Sequence, residues 1–332
     1  MPSPDKLLAV ENLRVHFRVY EGTARAVDGV SFSLDAGEIV GIVGESACGK
    51  SVTSMAIPRL IPCPPATMSG SIKLNGVELT TLPAAAMQRL RGKEIAMIFQ
   101  EPQSALNPVF TIENQMSEMI QAHEPSATAA SVRERVLNAL REVRIPDPES
   151  RLRAYPHELS GGMKQRVMIA MAMLLNPKLL IADEPTTALD VTIQRQILDL
   201  IADLRERHGI AVILITHDLG IVAQVCRRVI VMYAGHIVEE APVAALFKQP
   251  GHPYSAGLMR ARPRIHKHAD RLEVIPGRVP PGTAFPDGCR FAPRCSMATD
   301  RCRTVPPPLE PFGDDPLHRV ACYEAKRMLA MA

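Results

Sequence analysis

Two acidic residues follow a short apolar run in the middle of the chain. Residues 179–182 read Leu-Leu-Ile-Ala, and Asp183 and Glu184 come directly after them. Such a run is typical of a buried strand in a parallel sheet. Because ligands bind at the carboxyl edge of such sheets, this pattern predicts that the two carboxylates face a ligand site.

Upstream of the acids, a hydroxyl and two glycines stand where a helix is expected to begin. Ser160, Gly161 and Gly162 precede an apolar helical pattern whose predicted face consists of Met163, Val167, Met171 and Leu174. Backbone amides at the start of a helix attract anions, and glycines leave them accessible. The segment therefore predicts an anion-binding helix terminus.

A second anion-binding pattern lies near the N-terminus. Residues 44–51 read GESACGKS, after a predicted buried strand at 38–43 and before a helix that is expected to end by Pro58. This is the strand, glycine loop and helix context of a phosphate loop. Loop amides would surround the phosphates, Lys50 would add positive charge, and Ser51 would offer a hydroxyl to magnesium.

Together these segments resemble the motifs of ATP-binding cassette (ABC) ATPases. LSGGMKQR at 159–166 resembles the signature motif, KLLIADEPTTALD at 178–190 the Walker B motif and D-loop, and residues 44–51 the phosphate loop. The match covers about the first 260 residues. The whole chain, including a cysteine-bearing tail, is similar to the ATPase subunits of oligopeptide and dipeptide importers.

The resemblance implies an α/β fold. An ABC ATPase nucleotide-binding domain at 1–258 would combine a RecA-like core with an antiparallel β subdomain and a helical subdomain at about 104–176. A small C-terminal domain at 259–332 would carry the cysteines. Helical periodicity at 111–143 agrees with the helical subdomain, and alternating apolar residues at 7–42 agree with the antiparallel strands.

The same resemblance assigns roles in ATP hydrolysis. Glu184 would be the general base, His217 would contact the γ phosphate, and magnesium would be held through Ser51, Gln100 and Asp183. ATP itself would be contacted by Gln100 and by Gly44, Glu45, Ser46, Ala47, Cys48, Gly49, Lys50, Ser51 and Val52. Across a head-to-tail dimer, another subunit's site would be completed by Asp190 of the D-loop and by Ser160, Gly161, Gly162 and Gln165.

Three residues near the nucleotide motifs carry separate expectations. Tyr20 is the candidate for stacking on adenine, with Phe17 as its competitor. Ala47 stands where the family has glycine, and a backbone position with positive φ would disfavour alanine. Cys48 lies beside Lys50 at a helix start, where we expect the thiolate to be favoured and alkylation to block nucleotide binding. Outside the C-terminal tail there are two other cysteines, Cys63 and Cys226, and both are expected to be inert packing residues.

The tail is rich in proline, arginine and cysteine. Five, six and nineteen residues separate its successive cysteines, Cys289, Cys295, Cys302 and Cys322. Structural zinc sites usually use closer pairs, and iron-sulfur clusters are held by four thiolates. Importer subunits that the tail resembles include members with a [4Fe-4S] centre, which favours a cluster over zinc. Nearby cations are expected to offset thiolate charge, namely Arg290, Arg294, Arg301 and Arg303.

Composition places limits on the partners. The 332 residues carry a formal charge of only +3, so nothing indicates nucleic-acid binding. No apolar run approaches the roughly 20 residues of a membrane span, and no secretory signal is recognisable at the start. We therefore expect a peripheral protein on the cytoplasmic face of the inner membrane.

The implied function is ATP-driven uptake of dipeptides or oligopeptides. Expected partners are two transmembrane permease subunits, a second ABC ATPase subunit of the same or a different sequence, and an external solute-binding protein. Nickel or another small solute is the alternative cargo, and a soluble ABC ATPase without a permease is the alternative class. Such ATPases commonly carry two cassettes or a long coiled coil, and this chain has one cassette and no heptads.

Overall fold

The computed structural model describes residues 6–101, 105–187, 189–261 and 274–331. The chain folds into two compact units. The first comprises Met1–Leu34, Ile39–Thr80 and Thr216–Ala332, and the second comprises Asp35–Glu38 and Thr81–Ile215.

An antiparallel sheet forms part of the first unit. Its strands are β1 (Leu8–Val19), β2 (Gly22–Leu34), β4 (Ala66–Leu74) and β5 (Val77–Glu78), in the order β2-β1-β4-β5. Alternate residues of β1 such as Leu13 and Val15 are buried, and Val15 pairs with Val27 of β2. The alternating pattern as far as Leu34 is therefore the buried face of this sheet.

A second group of strands in the first unit carries the phosphate loop. It consists of β3 (Ile39–Val43), β9 (Arg228–Tyr233), β10 (His236–Pro242), β11 (Glu310–Phe312) and β12 (Asp315–Val320), in the order β11-β12-β10-β9-β3. β3 runs parallel to β9, and all five of its residues are buried. The chain leaves β3 through the loop and enters helix α1 (Lys50–Ala56).

The two tail strands were not anticipated from the sequence. β12 pairs antiparallel with β10 through Glu239 and Val320, and β11 pairs with β12. Both strands are short, and β12 buries His318 while Leu317 is 61% exposed, so their sequences lack the alternation of buried apolar and exposed polar residues that identifies a strand. Through β12, part of the tail extends the strands beside β10.

The second unit contains three parallel strands. They are β6 (Ile95–Ile98), β7 (Leu179–Asp183) and β8 (Ala211–Ile215), in the order β8-β7-β6. Its helices are α2 (Ala84–Leu90), α3 (Ile112–His123), α4 (Ala129–Glu142), α5 (Pro148–Arg151), α6 (Gly161–Met173) and α7 (Val191–His208). A 3-10 turn at Pro156–Glu158 precedes α6.

Local sequence explains where the helices of the second unit begin. Thr111 and Thr128 cap α3 and α4 by accepting bonds from amides three residues ahead. Val132, Val136 and Leu140 of α4 are buried, as the helical periodicity predicts. In α6 the predicted single face is not observed, since Met163 and Met171 are partly exposed while Met168, Ile169 and Ala170 are buried. This helix is covered on most of its circumference.

The remaining helices belong to the first unit. They are α8 (Leu219–Val225), α9 (Val243–Lys248), α10 (Pro253–Arg260), α11 (Asp300–Thr304) and α12 (Ala325–Met331), with a 3-10 turn at Ala292–Arg294. Among the helices of the described residues, none has both the length and the hydrophobicity required to cross a membrane.

A buried carboxylate connects several elements of the first unit. Glu239 in β10 is fully buried, and its oxygens accept bonds from the amides of Gly251 (2.7 Å) and His252 (2.9 Å). His318 Nε2 of β12 lies 2.7 Å from Glu239 Oε1. Since a buried carboxylate requires such partners, Glu239 holds β10, β12 and the segment before α10 together.

We predict that Glu239→Gln lowers the free energy of unfolding by about 2–3 kcal/mol. Glutamine has one acceptor oxygen and an NH2 group, so at least one buried donor would lose its acceptor. Urea unfolding would measure the change. The matched control is Glu206→Gln on α7, whose side chain is 74% exposed and which should change stability by less than about 0.5 kcal/mol. Equal stability of the two variants would contradict the role given to Glu239.

Candidate functional site

The phosphate loop closes around the ammonium group of Lys50. Lys50 is only 6% exposed, and Nζ donates to the carbonyls of Gly44 (2.8 Å) and Glu45 (2.9 Å). Gly49, the N-cap of α1, has no side chain that could accept from the first helix amides. The loop therefore combines a fixed cation with accessible backbone donors, which is the arrangement that binds phosphates.

Two glycines of the loop are required by close backbone approaches. A Cβ on Gly44 would lie 2.2 Å from the carbonyl oxygen of Met232, and one on Gly49 would lie 2.4 Å from that of Ala26. Gly49 also has a φ of 100°. The GxxxxGK spacing thus corresponds to contacts that any side chain would break.

Ala47 occupies a strained backbone position. Its φ is 63°, in the left-handed region that L-residues with a Cβ rarely adopt. The family's glycine would have this conformation without cost, whereas alanine costs roughly 1 kcal/mol. The loop nevertheless keeps its turn around Lys50, so the substitution is accommodated as strain.

The thiols differ from the sequence expectations. Cys48 is fully buried, and burial raises the pKa of its thiol despite the opposing charge of Lys50, with Nζ 3.7 Å from Sγ. The expectation of a reactive Cys48 thiolate is therefore wrong, because desolvation outweighs the nearby cation. Cys226 is buried, and its pKa is raised to about 12. Cys63 is exposed and is not the packing residue that we expected.

The carboxylates stand at the end of β7 in the second unit. Asp183 is the last residue of the strand and is 4% exposed, and Glu184 follows with its amide bonded to the carbonyl of Ile215 at 2.9 Å. Glu184 has a φ of 46°, which turns the chain sharply as it leaves the strand. Both carboxylates thus lie at the carboxyl end of a buried parallel strand, as the sequence predicts.

Gln100 and Glu184 are in direct contact. Gln100 lies two residues beyond β6, which pairs with β7, and its Nε2 donates to Glu184 Oε2 at 3.1 Å. The hydroxyl of Thr187 donates to the same oxygen at 2.9 Å. The carboxylate is therefore oriented by an amide and a hydroxyl. Thr187 was not among the predicted site residues, and only its position three residues after Glu184 could have indicated it.

The other predicted nucleotide contacts lie on exposed positions. Tyr20 is fully exposed in the turn between β1 and β2, and Phe17 is half-buried in β1. His217 is exposed, and the following residue, Asp218, caps α8 by accepting from the amide of Gly220 at 2.6 Å. Exposure leaves both Tyr20 and His217 accessible to a ligand.

The signature segment begins α6 as predicted. Ser160 is its N-cap and accepts from the amide of Met163 at 3.3 Å, while a Cβ on Gly162 would come 2.9 Å from Ile193 of α7. Ser160 and Gly161 are exposed, whereas Gln165 is 1% exposed. Asp190 caps α7 through the amide of Ile193 at 2.9 Å. The exposed part of the motif is thus the serine and first glycine at the helix start.

The four tail cysteines line one small cavity in the first unit. The cavity wall includes Cys289, Cys295, Cys302 and Cys322. Burial, with a contribution from neighbouring cysteines, raises the pKa of the Cys289 thiol to about 11 and that of Cys322 to about 12. Thiolates here would need a bound cation. Across the described residues, no three or more His, Cys, Asp or Glu side chains have an arrangement that could hold a metal ion.

Three of the tail arginines, Arg290, Arg294 and Arg301, contact carboxylates or an aromatic ring. Arg294 forms an ion pair with Glu45 (2.6 Å), and Arg290 forms one with Asp28. The Arg301 guanidinium lies 3.9 Å from the centre of the Tyr323 ring. Arg290 and Arg294 therefore do not show the expected role of offsetting cysteine charge, because each pairs with a partly buried carboxylate.

Two family models match separate parts of the chain. Residues 27–187 match the family described as ABC transporter, and residues 238–302 match the family described as oligopeptide/dipeptide transporter, C-terminal region. Among solved structures, the dimeric cassette MJ0796 bound to ADP and Pi covers 71% of this chain and 98% of its own, with a TM-score of 0.64 and 26% identity. CbiO1 from Clostridium perfringens gives a TM-score of 0.62 over 74% of this chain and 91% of its own, at 29% identity.

Relatives of similar length are closer in sequence. The dipeptide transport ATP-binding protein DppD of Escherichia coli is 49% identical over 93% of this chain and 94% of its own length. A probable peptide ABC transporter ATP-binding protein of Sinorhizobium fredii, y4tR, is 50% identical over 99% of this chain and 98% of its own length. The chain therefore belongs to the ABC transporter family, among the ATP-binding proteins of peptide transport.

Proposed function

We propose that this protein is the ATP-hydrolysing subunit of an ABC importer and couples ATP hydrolysis to uptake of dipeptides or oligopeptides. The observation that carries the proposal is the loop closed around Lys50 in a chain 50% identical over almost its full length to a peptide transporter ATP-binding protein. The Gln100–Glu184 contact supports the proposal, since it orients the carboxylate that would act in hydrolysis.

The loop residues would bind and orient the nucleotide phosphates. Backbone amides between Gly44 and Val52 would donate to the phosphate oxygens, except that of Glu45, which donates to the hydroxyl of Tyr254. Lys50 would stabilise negative charge that develops during transfer. Ser51, Gln100 and Asp183 would hold magnesium, as hydroxyl, amide and carboxylate oxygens suit this ion. Magnesium, when bound, neutralises charge on the phosphate oxygens.

Glu184 would act on the attacking water. Gln100 and Thr187 both donate to Oε2, so they fix the plane of the carboxylate before substrate binds. A carboxylate held in this way accepts a proton from water or aligns it for in-line attack. His217 would contact the γ phosphate, and Tyr20 would stack on adenine.

The signature residues are proposed to act on the nucleotide of a second ABC subunit. Ser160 and Gly161 at the start of α6 are the exposed donors proposed for this contact. Gly162, Gln165 and Asp190 are proposed to complete the set. A helix start favours anions, so the γ phosphate of the partner's nucleotide is the expected ligand. Closure on ATP and opening after hydrolysis would drive the permease.

The remaining partners are two permease subunits and an external solute-binding protein, with the chain on the cytoplasmic face of the inner membrane. The segment after Gln100, residues 101–110, is proposed to touch the permease. Val109 and Phe110 in it are 69% and 48% exposed, which suits an apolar contact. Residues 102–104 lie outside the described residues.

We propose that the chain divides into two domains. They are an ATPase domain at 1–258, with the helical subdomain at about 104–176, and a C-terminal domain at 259–332. The proposed C-terminal domain would be held by its cysteine site, since it contains few apolar residues that could form a core of their own.

We further propose that the four cysteines bind a [4Fe-4S] cluster, with zinc as the alternative. The support is that all four line one cavity and that their burial disfavours free thiolates, a cost that a bound cationic centre would remove. Small rearrangements of the cavity wall would be needed for ligation, because the described residues do not have this arrangement.

Glu184→Gln is expected to lower the rate of ATP hydrolysis at least about 100-fold and to leave ATP affinity within about threefold of wild type. The amide keeps the shape and the contact with Thr187 but cannot accept the proton. Phosphate release and binding of a fluorescent ATP analogue would be measured on the same protein. Glu206→Gln is the control and should leave both quantities unchanged. Hydrolysis by Glu184→Gln at a near-normal rate would show that Glu184 is not the general base.

Protein purified without oxygen is expected to contain about four iron and four acid-labile sulfide per chain. Cys302→Ser should lose most of both, because Cys302 is a buried member of the set. Cys63→Ser should retain them, since Cys63 is exposed and lies outside the cavity. Protein that contains zinc but neither iron nor sulfide would contradict the cluster and indicate that the cysteines bind zinc.

A further inference from the structure

Glu45 of the phosphate loop is held from three directions. Its carbonyl accepts from Lys50, and its amide donates to the hydroxyl of Tyr254 at 2.7 Å. Its carboxylate forms a two-pronged ion pair with Arg294, with Nη1–Oε2 and Nη2–Oε1 distances of 2.6 and 3.1 Å. Two of the three partners therefore come from the C-terminal part of the chain.

Arg294 is itself rigidly placed. Its side chain is 5% exposed, and it also donates to the backbone carbonyls of Ile275 (3.1 Å) and Pro276 (2.8 Å). Nη1 lies 3.3 Å from the hydroxyl of Tyr233. A planar guanidinium with several fixed acceptors loses little further freedom when it binds a carboxylate.

The charge of Glu45 makes this contact important for an anionic ligand. A carboxylate in a loop that binds phosphates repels them, and the repulsion is strong where solvent screening is weak. The ion pair with Arg294 neutralises the carboxylate, whereas Lys50 contacts Glu45 through the backbone carbonyl. Without Arg294 the loop would keep an uncompensated negative charge.

Arg290, a second arginine of the same segment, is linked to the phosphate loop through Ala234 and Gly235. Arg290 donates to the carbonyl of Ala234 and pairs with Asp28. The neighbouring Gly235 donates its amide to the carbonyl of Cys48 at 2.9 Å, inside the phosphate loop. Both arginines thus stand next to a cysteine in sequence and hold groups that contact the loop.

We propose that Arg294 is a positioning residue for nucleotide binding, which acts by neutralising and orienting Glu45 and thereby makes the cysteine-bearing segment part of the phosphate site. The inference rests on the proposed ATPase function. It goes beyond that function because it gives the tail a task in nucleotide affinity, and order in residues 289–295 would be transmitted to the loop through this contact.

A double-mutant cycle tests the proposal on the full-length protein. Binding of a fluorescent ATP analogue with magnesium would be compared for wild type, Arg294→Gln, Glu45→Gln and the double variant. We expect Arg294→Gln alone to weaken binding about tenfold, the size of one charge-assisted contact. Once Glu45 is already glutamine, the same change should cost less than about twofold, because the charge that Arg294 compensates is gone.

Further measurements separate this role from general stability. Arg303→Gln, beside Cys302 and exposed, should bind the analogue as wild type does. At saturating ATP, Arg294→Gln should hydrolyse at a rate within about twofold of wild type, so that KM changes and kcat does not. If Arg294→Gln folds poorly, Arg294→Lys replaces it in the same cycle, because lysine keeps the positive charge but cannot make the two-pronged contact with Glu45. Arg294→Lys should weaken binding about threefold when Glu45 is present and by less than about twofold once Glu45 is glutamine, and an equal loss in both backgrounds would overturn the proposal.

Two results would overturn the proposal and leave the ATPase function standing. One is that Arg294→Gln lowers the affinity for the analogue equally with Glu45 and with Glu45→Gln. The other is that Arg294→Gln alone binds the analogue as tightly as wild type. Failure of the wild-type protein to bind the analogue with magnesium would instead overturn the proposed function.

Discussion

The ammonium group of Lys50 must be satisfied inside the protein, and much of the first unit is arranged around this need. A buried cation requires acceptors, and the carbonyls of Gly44 and Glu45 supply them only if the loop turns tightly. That turn requires glycine at two close approaches and forces Ala47 into a left-handed conformation. The same turn places Gly49, which cannot cap the first amides of α1 with a side chain, at the start of the helix, so the structural requirement and the proposed phosphate binding coincide.

A second constraint acts at the end of the parallel strands in the other unit. Because β6 and β7 are neighbours, residues that follow them come together, and Gln100 reaches the carboxylate of Glu184. The contact is local to that unit and needs no ligand to form. Each unit therefore carries its own part of the proposed chemistry, with the phosphate loop in one and the oriented carboxylate of Glu184 in the other.

The sequence was informative where function depends on short segments and less so where it depends on distant pairs. The phosphate loop, the acids after β7 and the cap at Ser160 follow from local patterns of spacing and polarity, and the structure places each on the expected element. The pairing of Arg294 with Glu45 joins positions 249 residues apart, and no local pattern indicates it. The arginines beside the cysteines therefore suggested a role near thiolates that two of them do not have.

Burial was the other quantity that the sequence could not supply. Cys48 next to Lys50 at a helix start has the pattern of a reactive thiol, but the surrounding side chains remove it from solvent and reverse the direction of the pKa shift. The strands of the tail were missed for a related reason, since β12 is stabilised by pairing with β10 and not by its own hydrophobicity. In both cases tertiary contacts outweigh the local signal.

Uptake of a labelled dipeptide into vesicles would show whether this protein powers peptide import. The vesicles would contain the complex of this protein with its permeases, with the solute-binding protein and peptide outside and ATP on the side of the nucleotide sites. We expect accumulation that depends on ATP and is lost with Lys50→Ala. ATP-dependent accumulation of nickel without any uptake of dipeptides or longer peptides, or no ATP-dependent uptake at all, would contradict this expectation.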